Sequence, residues 1–138
     1  MIGSESDQIW YLDTSVVLRI ALGHSPTATD WFNQGCDRGD AFVTSRLTAL
    51  ESLRVLRREG LDLGLADEVL DLTTLLAVDD ALLAEAGAIQ PHVKTLDALH
   101  LASAARVGVH AVTVVTHDAT MIRSARELGF AVHDPVVE

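Results

Sequence analysis

The sequence predicts an α/β fold, a three-layer α/β/α sandwich around a central parallel sheet. Short apolar runs alternate with longer segments of helical spacing, and strands separated by helices imply a parallel sheet covered on both faces. The run AVTVVT at Ala111–Thr116 is apolar and β-branched along consecutive positions, as in a strand buried on both faces. A chain of 138 residues suits one core, so residues 1–138 are expected to form a single domain, with 1–7 as a flexible N-terminal segment.

Taken in order, Gln8–Asp13 reads as the first strand and Thr14–Leu22 as a short helix ended by Gly23. Ser25 and Pro26 open the next helix, the serine as N-cap and the proline at the first helical position. Ala28, Trp31, Phe32 and Cys36 repeat at helical spacing until Gly39 stops the run. Ala41–Thr44 is the second strand, and Ser45 caps a helix that reaches Glu59 and stops at Gly60. Leu65, Val69, Leu72 and Leu76 predict a further amphipathic helix. Leu76–Val78 is expected as a third strand, followed by a brief helix through Ala86 capped by Asp79 or Asp80. Beyond Pro91 a helix runs from about Lys94 to Val107 and closes at Gly108. The AVTVVT strand, a helix over Ala119–Leu128 ended by Gly129, and a last strand over Phe130–His133 complete the chain.

Composition narrows the function. Apolar residues make up 49%, too many for a disordered chain, while aromatics at 4% are too few for a base-stacking platform. Trp10, Trp31, Phe32, Phe42 and Phe130 are accordingly assigned to the core. Cys36 stands alone, which excludes an intrachain disulfide and a cysteine-based zinc cluster. MIGSESDQ lacks the features of a secretory leader, and no apolar run approaches the roughly 18 residues of a membrane span. A soluble, cytoplasmic protein without membrane contact is expected. The net charge of −10 argues against broad affinity for nucleic acid, which depends on cations meeting phosphates. It favours a basic partner or a site where carboxylates converge.

Four acids occupy awkward positions. In WYLDTSVVL, Asp13 ends the first strand, and in VTVVTHD, Asp118 lies just beyond another. Ligands of parallel sheets bind beyond the carboxyl ends of the strands, so neighbouring strands would aim both carboxylates into one crevice. Helix capping explains either one alone. In SRLTALESLRVLRREG, Glu51 falls on the apolar stripe with Leu47 and Val55, unless it snorkels out to pair with Arg54 or Arg58. In HVKTLDALHLASAARVG, Asp97 shares a helix face with Leu101, Ala104 and Ala105, although a first-turn acid also suits the helix dipole. Together, such acids need protons or cations to hold them, and an oxygen-only set suits Mg²⁺ or Mn²⁺ rather than zinc.

These segments resemble a PIN domain, in particular the toxin ribonucleases of the VapC type. YLDTSVVL, TSRLTALESLRVLRR, TLDALHLASAARVG and VVTHDATMIRSARELGF fall in the order and spacing of that family and cover nearly all of the chain. The resemblance implies a PIN-like α/β/α fold and hydrolysis of RNA by metal-activated water. It implies that Asp13, Glu51, Asp97 and Asp118 gather around one or two Mg²⁺ or Mn²⁺ ions. Asp13, Asp97 and Asp118 would ligate directly; Glu51 would ligate or position the attacking water, as a general base if its pKa is raised. Thr14 or Ser15, and Thr116, match the hydroxyl residues that orient the acids. It also implies a small antitoxin with a basic tail and a two-fold dimer, for which the helices around Trp31 and Leu65–Leu76 could supply an interface. Met121 stands where many relatives carry Phe or Leu, and Lys94 where they often place Arg.

Arg54, Arg58 and His117 are candidates for contacting RNA, although a solvated helix face and a loop histidine explain them as well. The six histidines form no H-E-x-x-H or similar pairing. One alternative is a PIN fold used as a binding module with little or no nuclease activity. Another is an acidic-pocket phosphotransfer signalling domain, for which the paired acids after strand one and a correctly placed Lys are missing.

Overall fold

The computed structural model describes residues 6–137. Five strands, β1 (Ile9–Leu12), β2 (Ala41–Ser45), β3 (Thr74–Leu76), β4 (Thr113–Val115) and β5 (Ala131–His133), form one sheet in the order β3-β2-β1-β4-β5. Every neighbouring pair is parallel. Among the described residues seven helices connect them: α1 (Thr14–Ala21), α2 (Pro26–Arg38), α3 (Arg46–Arg58), α4 (Asp67–Leu70), α5 (Asp80–Gly87), α6 (Thr95–Val107) and α7 (Ala119–Glu127).

The two-residue period of a strand divides the core. Tyr11, Val43 and Val114 point to one face, against Leu101 and Ala104 of α6 and Met121 and Ala125 of α7. Leu12, Phe42 and Val115 point to the other, against Val16 and Val17 of α1, Phe32 of α2 and Val69 of α4. The α/β/α sandwich expected from the sequence is thus formed. Met121 is fully packed in the first cluster.

Local chemistry sets most boundaries. The Ser25 side chain accepts a hydrogen bond from Ala28 N, Pro26 follows it, and Gly39 ends α2 with φ 81°, a left-handed conformation that suits glycine. Within α2, Gly35 lets the helix lie close on β2, since a Cβ there would sit 2.7 Å from Phe42 Cζ. The Ser45 side chain accepts from Leu47 N at the start of α3. Asp79, not Asp80, caps α5 by accepting from Leu82 N at 2.8 Å.

Three expectations are corrected. No amphipathic helix spans Leu65–Leu76; α4 is a single turn, and Leu72 is 58% exposed. Turn hydrogen bonds from Leu72 N to Val69 O and Thr73 N to Leu70 O redirect the chain, and β3 then pairs with β2 from Thr74 onward. Ladder bonding overrides the helical spacing of the leucines and moves β3 two residues ahead of the expected Leu76–Val78. The clearest expected strand is also shorter than its sequence, because Val112 N bonds to Gly108 O in a turn and only Thr113–Val115 pair as strand. Of the expected flexible stretch 1–7, residues 1–5 lie outside the described residues. Among the described residues no helix is long and apolar enough to cross a membrane.

The topology places a crevice. From β1 the chain moves to the β2 side, whereas from β4 it moves to the β5 side, and β1 and β4 are neighbours. Such a divergence opens a cleft beyond the carboxyl ends of the two strands.

Candidate active site

Asp13 follows β1 and Asp118 follows β4, so both flank this cleft. Asp13 occupies the N-cap position of α1, yet its side chain makes no capping bond. Its Oδ2 instead accepts hydrogen bonds from Thr116 Oγ1 at 2.8 Å and Ser15 Oγ at 3.2 Å. Capping therefore does not account for this carboxylate. Asp118 does cap α7, its Oδ1 accepting from Met121 N at 3.0 Å. Thr116 links the two acids, because its Oγ1 also accepts from Asp118 N at 3.1 Å.

Asp97 lies in the first turn of α6, partly buried. Its carboxyl is held above the usual value, first by burial and then by the charges of Asp13 and Asp118. The attraction of His100, in its charged form, and of Lys94 only partly offsets these effects. Three acids from distant parts of the chain thus share one electrostatic environment.

Glu51, on α3, is half buried and faces inward. Its Oε1 accepts from Thr14 Oγ1 at 2.7 Å and lies 2.9 Å from His100 Nε2. Pairing with Arg54 or Arg58 is not observed; Arg58 bonds to Glu59 at 3.1 Å. Burial works against ionisation of Glu51, but the hydrogen bonds from His100 and Thr14 outweigh it and hold its carboxyl below the usual range. The condition for Glu51 as a general base, a raised pKa, is therefore not met. Thr14 braces Glu51, while Ser15 and Thr116 brace Asp13.

The sequence reading overlooked His100 and Tyr11. His100 is buried, with Nδ1 2.7 Å from the Tyr11 hydroxyl and Nε2 facing Glu51. Burial pushes the Tyr11 phenol well above its ordinary pKa. Thr44 and Thr48 extend the network, with Thr44 Oγ1 bonded to Leu12 O and to Thr48 Oγ1, each at 2.7 Å. The available signal was the Asp97-x-x-His100 spacing, which puts both residues on one helical face.

The basic candidates lie differently. Arg54 and Arg58 are exposed on α3, and Arg58 is two turns, about 10 Å, beyond Glu51 on the side away from the strand ends. His117 adjoins Asp118 but is tied by Nδ1 to Asp134 Oδ2 at 2.8 Å. Lys94 is exposed at the start of α6.

The donor set consists of carboxylate oxygens braced by hydroxyls, which fits a hard divalent cation. Mutual repulsion of Asp97, Asp13 and Asp118 is what such a cation relieves. Among the described residues, no three acid, histidine or cysteine side chains already converge on a single cation position. Glu51 in particular is turned toward His100 and Thr14.

Comparison with known proteins adds to this geometry. The family model described as PIN domain matches residues 10–127. Ribonuclease VapC46 of Mycobacterium tuberculosis is 34% identical over 127 residues, covering 91% of this chain and 96% of the relative. Ribonuclease VapC47 of the same organism is 29% identical over 130 residues, with the same coverage, 91% and 96%. Among solved structures, VapBC2 from Rickettsia felis bound to a promoter DNA fragment matches with a TM-score of 0.73 at 12% identity, over 91% of this chain and 98% of that one. FitAB bound to the IR36 DNA fragment matches with a TM-score of 0.68 at 19% identity, over 94% and 96%. At these identities the structural matches show a shared fold.

Proposed function

The chain belongs to the PIN-domain family, in its VapC-type branch, and on that basis we propose that it is a toxin ribonuclease hydrolysing RNA phosphodiester bonds with Mg²⁺ or Mn²⁺. The observation that carries this reading is the placement of Asp13 and Asp118 at the ends of β1 and β4 with Asp97 beside them, where burial first and then the charges of the other two raise the Asp97 carboxyl above its ordinary value. Asp13, Asp97 and Asp118 would hold the ion, with Glu51 as a further ligand or as the residue that orients water.

When bound, Mg²⁺ or Mn²⁺ supplies positive charge at the scissile phosphate and makes water a better nucleophile at neutral pH. The chain supplies orientation. Ser15 and Thr116 donate to one oxygen of Asp13 and leave the other for the ion. Asp118 uses Oδ1 on its own helix and has Oδ2 to offer. Glu51 is ionised and held by one oxygen, so it acts as an acceptor that aligns water rather than as a proton store. Arg54 and His117 are the side chains proposed to meet RNA phosphates, with Arg58 more remote.

The partner proposed is a small antitoxin whose basic segment enters the acidic cleft. The chain's charge of −10 supports this, as does the fold shared with proteins solved as VapBC and FitAB complexes. Leu50, Leu53, Leu72 and Leu75 are exposed apolar side chains suited to contact with the antitoxin or with a second copy in a homodimer. A cytoplasmic setting fits this role.

The test is cleavage of a mixed cellular RNA pool by the purified chain. Cleavage is expected with Mn²⁺ or Mg²⁺, abolished by chelator, and reduced at least about 100-fold in Asp13→Asn, the upper range for loss of a ligand or its support. Full activity of Asp13→Asn overturns the site. Absence of cleavage alongside retained RNA binding would favour the binding-module alternative.

A further inference from the structure

We propose that His100 is a positioning residue for Glu51: held in its Nε2–H tautomer by Tyr11, it clamps one oxygen of the Glu51 carboxylate and leaves the other without a hydrogen-bond partner among the described residues. The inference rests on the ribonuclease reading for its consequence, but not for its geometry.

Hydrogen-bond bookkeeping leads to the tautomer. Glu51, ionised, can only accept, so the proton between it and His100 belongs to Nε2 at 2.9 Å. On the other side, Nδ1 lies 2.7 Å from the Tyr11 hydroxyl, which the side chains of Ser103 and Thr44 also approach. A phenol at neutral pH carries a hydrogen that a buried site must place; at 2.7 Å Nδ1 takes it, with the Ser103 and Thr44 hydroxyls placed to donate to the phenol oxygen. The two bonds agree, with Tyr11 donating to Nδ1 and Nε2 donating to Glu51. The ring itself has little room to rotate, being 2% exposed and in T-shaped contact with Tyr11.

The clamp is one-sided. Thr14 Oγ1 and His100 Nε2 both address Oε1, at 2.7 and 2.9 Å. Oε2 makes no hydrogen bond among the described residues, nor is it a buried orphan. Two donors on one oxygen fix the carboxylate plane without occupying its second ligating position. His100 also sits one helical turn from Asp97, so α6 supplies both a candidate ligand and the brace of another. Orientation of a ligand by a partner behind it typically changes metal affinity 10- to 100-fold.

The experiment compares the wild type, His100→Gln and His100→Asn without RNA. Gln can place an amide N–H near the position of Nε2, whereas Asn is too short to reach Glu51; both keep a polar side chain in the same buried site. Long-range ¹H–¹⁵N spectra of the metal-free wild type are expected to show the proton of His100 on Nε2, and a proton on Nδ1 alone overturns the proposal. Calorimetric titration with Mn²⁺ is expected to show His100→Asn about 10-fold weaker than wild type and His100→Gln within about 3-fold. Equal affinities in both variants overturn a positioning role. If the wild type binds no Mn²⁺, the ribonuclease reading fails instead, and the spectrum still decides whether the clamp exists. With a cleaved RNA in hand, kcat of His100→Asn is expected to fall about 10-fold with KM unchanged.

Discussion

Asp97 ionises against burial and against the charges of Asp13 and Asp118, so its folded-state pKa lies above its unfolded value. For a carboxylate the sign follows directly: ionisation destabilises the fold, fully at pH above the folded pKa, and the penalty fades as pH falls below that value and is gone below the unfolded pKa. In chelator at neutral pH, Asp97→Asn is therefore expected to melt higher than wild type by about 3 °C, the equivalent of roughly 1 kcal/mol for a chain of this length. The gap should close as the solution is acidified, and thermal unfolding over a pH series measures it. A variant that melts lower at neutral pH would mean that the carboxylates do not repel. The acids themselves were legible in the sequence because each contradicted its surroundings, a charge at a strand end or on an apolar stripe. The partners of Glu51 were not legible, since Arg54 and Arg58 are near in sequence while His100 is near only in space. Nor was the downward direction of its pKa, which depends on two donors brought by α1 and α6.

Elements were readable where side chains dictate the backbone locally. Ser25-Pro26, Gly39 and Ser45 fixed helix ends that need no tertiary context. The segment from Leu65 to Leu76 was misread because its spacing suits a helix while the free edge of β2 at Val43–Ser45 offers a ladder. Close approach is similarly invisible in sequence. Nothing in WFNQGCDR announces that Gly35 must admit Phe42, whose ring is wedged against Phe32 and Trp31. Gly35→Ala gains roughly 1 kcal/mol of helix propensity but must displace a packed ring, which costs about 1–3 kcal/mol. Net destabilisation of about 1 kcal/mol is expected, read as a lower urea midpoint with an unchanged slope. A gain in stability would show that α2 can back away from the sheet.

At the scale of the whole molecule, a charge of −10 meets a cleft of carboxylates, and a divalent cation is the natural counterweight. Mn²⁺ at about 100 times its dissociation constant is expected to stabilise the wild type by about 2.7 kcal/mol, or roughly 9 °C in Tm, with chelator reversing the shift. A response unchanged in Asp97→Asn would exclude Asp97 as a ligand. The layer arrangement was foreseeable from the alternation of strands and helices, but the strand order was not, and the order is what makes β1 and β4 neighbours. That adjacency has a consequence for biosynthesis. Thr116 reaches Asp13 across 103 positions of the chain, so the bond cannot form until Thr116 itself has left the ribosome. A growing or prematurely terminated chain holds Asp13 and Glu51 but lacks Asp118 and its tether. The site is therefore complete only once Thr116 and Asp118 have emerged, long after Asp13 and Glu51 have met the solvent.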